Sequence, residues 1–198
     1  MWTAAWQCKG ERFHGKKQDL EFHGKPLWKH VYDVAMEVNE QKNVVIVGRS
    51  VEGGKTRSES VINGLKALDS DTDRVVIMEA ARPLVTTTQV RQLVNDKADS
   101  SSFVMPLVNT PIGKDGTYYD RSSLYDLLVP QAFDYKKLLA AYKTNKYIDM
   151  TDETRIMFEE YGIKPHLIET GQNLFKVTYP RDVAVLESIY QMLKGEIK

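Results

Sequence analysis

A glycine pair followed by a lysine and a threonine lies inside an apolar part of the chain. Residues 44–60 read VVIVGRSVEGGKTRSES, and a β-branched run comes directly before the glycines. A P-loop needs one glycine, four residues and then Gly-Lys-Ser/Thr, because that length curls successive backbone N–H groups around phosphates. Counted from Gly48, the spacing here is one residue too long. A P-loop kinase is therefore only a minor alternative for this chain.

Charged residues and glycines also gather in four clusters near the predicted ends of apolar runs. Open α/β sheets bind ligands at such ends, and helix-start amides together with lysine and arginine side chains attract anions. An anionic ligand is therefore the first hypothesis. Each cluster also has a structural alternative, such as solvated loop lysines or a Glu79–Arg82 salt bridge. The residues concerned are Arg12, Lys16, Lys17, Gly53, Gly54, Arg57, Ser60, Glu79, Arg82 and Lys176.

The composition limits the classes of protein to consider. The 198 residues suffice for one compact domain, which we predict to span 1–198. Lys plus Arg and Asp plus Glu both number 27, so no net charge draws the protein to nucleic acid or an anionic membrane. The single cysteine, Cys8, suits a reducing cytosol, and no apolar run is long enough to span a bilayer. We predict a soluble cytoplasmic protein.

Short apolar runs alternate with segments of helical periodicity. Continuous rather than alternating hydrophobicity is typical of strands covered on both faces, and strand–helix alternation favours an α/β fold with a largely parallel sheet. Residues 109–123, NTPIGKDGTYYDRSS, interrupt this alternation with three turn signals and predict a hairpin or arm. The predicted strands are 43–48, 74–79, 102–108, 165–170 and 174–179. The predicted helices are 26–39, 58–68, 88–96, 135–144, 152–161 and 181–194.

A series of motifs covers nearly the whole chain in a specific order. It reads GERF, KKQ, GKPLWKH, GGKTRSESVINGL, EAARP, PLVNT, DRSSLYDLLVPQAF, TDE and NLFKVTYPRDV. In this order the motifs resemble the cytidylyltransferase family of 2-C-methyl-D-erythritol 4-phosphate cytidylyltransferase and its ribitol-5-phosphate relatives. The resemblance implies a three-layer, mostly parallel, Rossmann-like nucleotidyltransferase sheet with a protruding β-arm for dimerisation. It also implies transfer of CMP from CTP to a polyol phosphate, with release of pyrophosphate, in isoprenoid biosynthesis.

The resemblance assigns roles to residues at matching positions. Arg12 and Lys17 would hold the triphosphate, and Lys176 would lie against the α-phosphate. Mg²⁺ would bridge phosphate oxygens, with Glu79 as a candidate protein ligand. The positions that match CTP-binding residues are Gly10, Gly54, Lys55, Ser60, Glu79 and Ala80. The positions that match polyol-phosphate-binding residues are Arg82, Thr110, Arg121 and Thr151, some of them reached across a homodimer by the arm.

Three departures from the family pattern keep a second hypothesis open. Trp6, Gln7 and Cys8 stand where the family has small residues that let the backbone approach the nucleotide. Glu79 replaces an aspartate, and Val129 replaces a threonine on the polyol side. The alternative is a catalytically impaired homologue that acts as a binding or structural dimer. The identity of the polyol phosphate also stays open, between the methylerythritol and ribitol types.

Overall fold

The computed structural model describes residues 2–4, 17–171 and 174–195. Gly10, Arg12 and the segment 6–8 therefore lie outside the described residues. Within the described residues, the strands are β1 Trp2–Ala4, β2 Glu21–Phe22, β3 Lys25–Pro26, β4 Val45–Ile46, β5 Arg74–Glu79, β6 Ser100–Pro106, β7 Tyr125–Asp134 and β8 His166–Glu169. The α-helices are α1 Leu27–Val38, α2 Arg57–Lys66, α3 Thr87–Asn95, α4 Tyr135–Lys143, α5 Glu153–Tyr161 and α6 Asp182–Lys194.

All six predicted helices are confirmed, each within two residues of its expected bounds. For two of them, start signals in the sequence explain this agreement. Thr56 and Thr86 each begin a helix with a capping box, in which the threonine oxygen and a Glu or Gln side chain three residues later bond each other's backbone amides. None of the described helices has the length and apolar composition that crossing a membrane requires. The single-domain organisation and the cytoplasmic location stay predictions.

The central sheet is mixed, with strand order β4-β1-β5-β7-β6-β8. The β4–β1, β1–β5 and β6–β8 pairs are parallel, whereas β7 runs antiparallel to both β5 and β6. Five of these strands therefore point in one direction, and β7 points in the other. The short β2–β3 hairpin forms a separate two-stranded sheet. The predicted largely parallel sheet is present, with β7 as its exception.

Strand β5 faces a hydrophobic core on each side, which explains its uninterrupted apolar sequence. Val75 and Ile77 pack with residues of α2, α4 and α5. Val76 and Met78 pack with residues of α1 and α3. Because successive strand side chains point to opposite faces, the two sets lie on opposite sides of the sheet. Helices therefore cover both sides of the strand that ends at Glu79.

The predicted strand at 174–179 is wrong. Val177 is buried and its amide donates to the Ala81 carbonyl at 2.9 Å, but no sheet ladder forms along this segment. The next two amides both donate to the Asp182 carboxylate at 2.7 Å. A side chain therefore takes the hydrogen bonds that a neighbouring strand would need. Lys176 consequently projects from irregular backbone beside the end of β5.

The predicted hairpin at 109–123 is confirmed as a local structure between β6 and β7. Ile112 pairs antiparallel with Tyr118, and the Gly113 amide donates to the Thr117 carbonyl at 2.8 Å. Ile112 is 56% exposed and Tyr118 is 75% exposed, so the hairpin buries little of its apolar surface within this chain. A role of this arm in dimerisation stays a prediction.

Candidate active site

A cavity of about 700 Å³ opens at the carboxyl end of β5. The last three residues of β5 line its floor, and the first turn of α2 lines one wall. The segment 148–152 lines another wall, and Lys176 closes the side next to Glu79. This position follows the general rule that open α/β sheets bind ligands beyond the carboxyl ends of their strands.

The loop 53–56 is held against α2 by paired hydrogen bonds. The Thr56 side chain accepts from the Glu59 amide at 3.1 Å, and the Glu59 carboxylate accepts from the Lys55 amide at 2.5 Å and the Thr56 amide at 3.3 Å. The Ser60 hydroxyl accepts from the Gly54 amide at 2.9 Å and donates to the Thr56 carbonyl at 3.1 Å. The loop is therefore ordered by its own helix before any ligand binds.

Gly54 allows this loop to approach the helix closely. A Cβ at position 54 would lie 2.2 Å from the Glu59 Cβ and 2.7 Å from the Ser60 amide nitrogen. Those distances exclude any side chain without a backbone shift. The Gly54 and Lys55 amides donate to the Ser60 and Glu59 side chains of α2, so they are not available to a nucleobase in this arrangement. The base contacts expected of Gly54, Lys55 and Ser60 stay predictions.

Three cationic side chains surround the Glu79 carboxylate. Lys176 Nζ lies 2.7 Å from Glu79 Oε1, and Arg82 Nε lies 3.4 Å from Glu79 Oε2. The Arg82 guanidinium also donates to the Leu174 carbonyl. Lys17 is only 6% exposed, and its charge acts on the same carboxylate. Since one anion faces three cations, the cluster has an excess of positive charge that an anionic ligand would neutralise.

The charges of this cluster shift the pKa of its members. Burial alone would raise the pKa of Glu79, but Lys176, Arg82 and Lys17 outweigh it and hold that pKa below its ordinary value of 4.5. Burial lowers the pKa of Arg82, and its pairing with Glu79 opposes that effect. Glu79 is therefore ionised at neutral pH and pairs with Arg82 and Lys176, two of the basic side chains that line the cavity.

The segment 148–152 is fixed from two directions. The Ser58 hydroxyl donates to the Met150 carbonyl at 2.7 Å, and the Gln131 amide group donates to Asp152 Oδ2 at 2.9 Å. Asp152 Oδ1 in turn accepts from the first amides of α5 as its N-cap. Thr151 lies between these anchors and lines the cavity.

A buried ion pair lies beneath this segment. Arg57 donates two N–H groups to the Glu153 carboxylate, one of them at 2.6 Å, and the Tyr142 hydroxyl donates to the same carboxylate at 2.8 Å. The Glu153 side chain is fully buried. Burial opposes the charge of Arg57, but Glu153 outweighs it and raises the pKa of Arg57 above its ordinary value. Burial, reinforced by the Glu153 charge, raises the pKa of Tyr142, which stays a donor.

The structure brings most of the described candidate residues together. Lys55, Ser60, Glu79, Arg82, Thr151 and Lys176 line the cavity. Gly54 lies beside the cavity in the loop 53–56, and Ala80 directly follows the last residue of β5. Lys17 acts on Glu79 through its charge. Thr110 and Arg121 lie on the exposed arm and do not line it, and the Arg121 side chain donates to the Val108 carbonyl.

Sequence reasoning missed the supports of the 148–152 wall, chiefly Ser58, Gln131 and Glu153. The Thr-Asp-Glu sequence at 151–153 signals a helix start, but it does not reveal which distant groups hold it. Among the described residues, no group of three or more His, Cys, Asp or Glu side chains could hold a metal ion. His23 pairs with Glu187 at 2.8 Å and His166 with Asp96 at 2.6 Å.

Comparisons with known proteins agree on one family. A sequence profile described as IspD: 2-C-methyl-D-erythritol 4-phosphate cytidylyltransferase matches residues 29–192. A protein of that name from Clostridium botulinum (strain 657 / Type Ba4) is 31% identical over 172 residues, which are 81% of this chain and 74% of the relative.

Two solved structures share the fold. The bifunctional IspDF from Campylobacter jejuni matches with a TM-score of 0.80 and 24% identity, covering 94% of this chain. This chain spans about half of that protein, 53% of its length. The 4-diphosphocytidyl-2C-methyl-D-erythritolsynthase from Anaerococcus prevotii DSM 20548 also matches with a TM-score of 0.80, at 20% identity over 96% of each chain.

Proposed function

The chain belongs to the 2-C-methyl-D-erythritol 4-phosphate cytidylyltransferase family, and we propose on this premise that it transfers CMP from CTP to that polyol phosphate. The observation that carries the proposal is the cluster at the cavity in which Arg82 and Lys176 pair with Glu79, while the buried Lys17 acts on the same carboxylate through its charge. A reaction between two phosphate groups needs such an excess of positive charge more than it needs a general base. Catalysis then depends on positioning and electrostatic stabilisation.

The reaction balances without a further reactant. An oxygen of the polyol phosphate attacks the α-phosphorus of CTP and forms a new P–O–P bond. The bond from the α-phosphorus to the oxygen that bridges to the β-phosphorus breaks, and pyrophosphate leaves with that electron pair. Negative charge from both substrates meets at the α-phosphate, so cations that contact it lower the barrier.

Lys176 is the described residue best placed to contact the α-phosphate. Its side chain is 41% exposed at the cavity, and its ammonium pairs with Glu79. Lys17 supports the same region from a buried position. We propose that Lys17 and Arg12 hold the triphosphate and the departing pyrophosphate. The base would lie against Gly54, Lys55 and Ser60, with the ribose near Glu79 and Ala80; Gly10 is a further nucleotide contact in this proposal.

Mg²⁺ is the proposed cofactor. The described carboxylates near the cavity are largely engaged: Glu79 pairs with two cations, and Asp152 accepts from Gln131 and the start of α5. These residues fit a metal held mainly by substrate phosphates, with Glu79 as a possible single protein ligand, which is the usual manner for Mg²⁺. When bound, the ion would neutralise phosphate charge.

The polyol phosphate would bind between Arg82 and Thr151. Thr110 and Arg121 would complete this side of the site from the arm of a second copy, because the arm projects from its own chain and exposes Ile112 and Tyr118. We therefore propose a homodimer in which each arm reaches the partner's cavity. In this arrangement, the arm would add the Thr110 hydroxyl and the Arg121 guanidinium to the partner's cavity.

The alternatives have less support. A P-loop kinase would need a loop whose amides are free to bind phosphates, whereas the Gly54 and Lys55 amides donate to the Ser60 and Glu59 side chains of α2. A homologue that binds without turnover has no support from the matched relatives, which are named as cytidylyltransferases. Ribitol 5-phosphate remains a second candidate substrate because Val129, which lines the cavity, stands on the polyol side.

The test is pyrophosphate release by the purified full chain. CTP and Mg²⁺ would be combined with 2-C-methyl-D-erythritol 4-phosphate or ribitol 5-phosphate, with ATP, GTP and UTP as controls. We expect release that requires both CTP and 2-C-methyl-D-erythritol 4-phosphate, with a cytidine-containing diphosphate product detected by mass spectrometry. No release from folded protein, or γ-phosphate transfer from ATP, would refute the proposal. Release with ribitol 5-phosphate alone would keep the reaction and change the substrate.

A further inference from the structure

Two serines on the first turns of α2 hold two different walls of the cavity. Ser60 bonds the Gly54 amide and the Thr56 carbonyl, within the loop 53–56. Ser58 instead bonds the carbonyl of Met150 at 2.7 Å, and its oxygen lies 3.4 Å from the Tyr147 carbonyl. Both serines are buried, with 1% exposure at Ser58 and 4% at Ser60. The start of α2 therefore holds two segments that are far apart in sequence.

Arg57 strengthens the link to the second wall. It donates both N–H groups of its fork to Glu153, the first residue of α5, while lining the cavity itself. A bidentate guanidinium–carboxylate pair fixes orientation as well as distance, which a lysine cannot reproduce. Because Glu153 is fully buried and accepts three hydrogen bonds, two from Arg57 and one from Tyr142, its position is tightly set. Thr151 lies two residues away.

The loop 53–56 does not depend on these contacts. Its capping box involves Thr56 and Glu59, and its remaining bonds involve Ser60. The wall formed by residues 148–152, together with residues 147 and 153 on either side of it, is thus the part that we expect to move if Arg57 or Ser58 is changed. In the proposed function this segment carries Thr151 on the polyol-phosphate side, whereas the loop 53–56 lies on the nucleotide side.

We propose that Arg57 and Ser58 are positioning residues for the polyol phosphate, and that they act through the segment 147–153 and not on the nucleotide. This inference rests on the proposed function. Within α2, the roles then divide by position: Arg57 and Ser58 position the polyol phosphate, and Ser60 supports the binding of CTP. A purely structural role for the same residues would lower the amount of folded enzyme and leave both KM values unchanged.

The experiment compares two identical substitutions two residues apart. Ser58→Ala, Ser60→Ala and Arg57→Lys would be measured for kcat and for KM with CTP and with 2-C-methyl-D-erythritol 4-phosphate. We expect Ser58→Ala to raise KM for the polyol phosphate about fivefold and Arg57→Lys about tenfold, with KM for CTP changed less than about twofold. Ser60→Ala should show the reverse pattern. Lys137→Gln, which breaks the distant ion pair with Asp99, is the matched control and should change neither KM.

Amide hydrogen exchange on the unliganded protein supplies a second measurement. Ser58→Ala should speed exchange in 147–153 and not in 53–56, and Ser60→Ala should do the opposite. If Arg57→Lys folds poorly, Glu153→Gln keeps the side-chain shape while weakening the same pair. Equal changes in both KM values for Ser58→Ala and Ser60→Ala, or an unchanged polyol KM for Ser58→Ala, would overturn the inference while the proposed function stands. Failure of the wild-type enzyme to turn over would instead overturn the proposed function, and the inference with it.

Discussion

The cavity and the arm differ in how far their side chains are buried within this chain. Beside the cavity, two charged side chains are buried and paired: Arg82 is 9% exposed and Glu153 is fully buried. Along the arm, the hydrogen bonds that hold the hairpin stay within it, and Tyr118 is 75% exposed. A preorganised pocket can act on a ligand with groups already in place, whereas an exposed hairpin gains a fixed position only against another surface. In the proposed dimer, this chain would contribute the cavity, and the partner's arm would contribute the rest of the site.

The largest contrast should come from two lysines. Lys176→Ala removes the ammonium that pairs with Glu79 at the cavity, whereas Lys114→Ala removes one at the exposed tip of the arm. We expect Lys176→Ala to lower kcat/KM by about 100-fold or more, because a contact to charge that develops in the transition state is worth roughly 2.7 kcal/mol. Lys114→Ala should stay close to wild type. Steady-state kinetics on both variants measures this difference. A fall in kcat/KM of less than about threefold for Lys176→Ala would contradict the proposed role of Lys176.

A smaller effect should appear in the pH dependence of stability. The pKa of Glu79 lies below its ordinary value of 4.5 in the folded protein, so its ion pairs stabilise the fold above that value. Their contribution is lost as pH falls through the lowered pKa. Wild type should therefore be more stable than Glu79→Gln by about 1 kcal/mol at neutral pH, and the two should converge as pH falls through the lowered pKa of Glu79.

Thermal unfolding of both proteins across that range measures this difference. Asp115→Asn on the arm gives the comparison, because Asp115 is exposed and bonds only its neighbour Thr117 in the hairpin. A Glu79→Gln gap that stays constant down to acid pH would show that the carboxylate charge does not stabilise the cavity.

The smallest effect on the fold should come from the arm itself. Ile112→Ser together with Tyr118→Ser changes two exposed side chains, so the free energy of unfolding of the isolated chain should move by less than about 0.5 kcal/mol. The same double variant should weaken dimerisation in sedimentation experiments and raise KM for the polyol phosphate. Unchanged association would remove the arm from the proposed dimer contact.

Residues with local signals were predicted well, and residues that depend on distant partners were not. The capping boxes at Thr56 and Thr86 indicate the starts of two helices, because the threonine and its Glu or Gln lie three residues apart. The segment 174–179 has the apolar content of a strand, yet its backbone bonds to Ala81 and Asp182 instead. Strand propensity cannot decide between those partners, because a buried amide donates to whichever acceptor the rest of the fold supplies.

The sequence by itself determined the six helices, the apolar strand that ends at Glu79, the hairpin at 109–123 and the ordered motifs of the family. These features depend on side-chain period, turn chemistry and short-range capping, which nearby residues set. Only the tertiary structure decided that Lys176 pairs with Glu79, that the loop amides at 54 and 55 are already used, and that Ser58 and Arg57 hold the wall around Thr151. Those contacts join residues up to 97 positions apart, from Lys176 to Glu79. Their geometry is fixed when two cores close on the two faces of one sheet, since packing sets which distant groups meet.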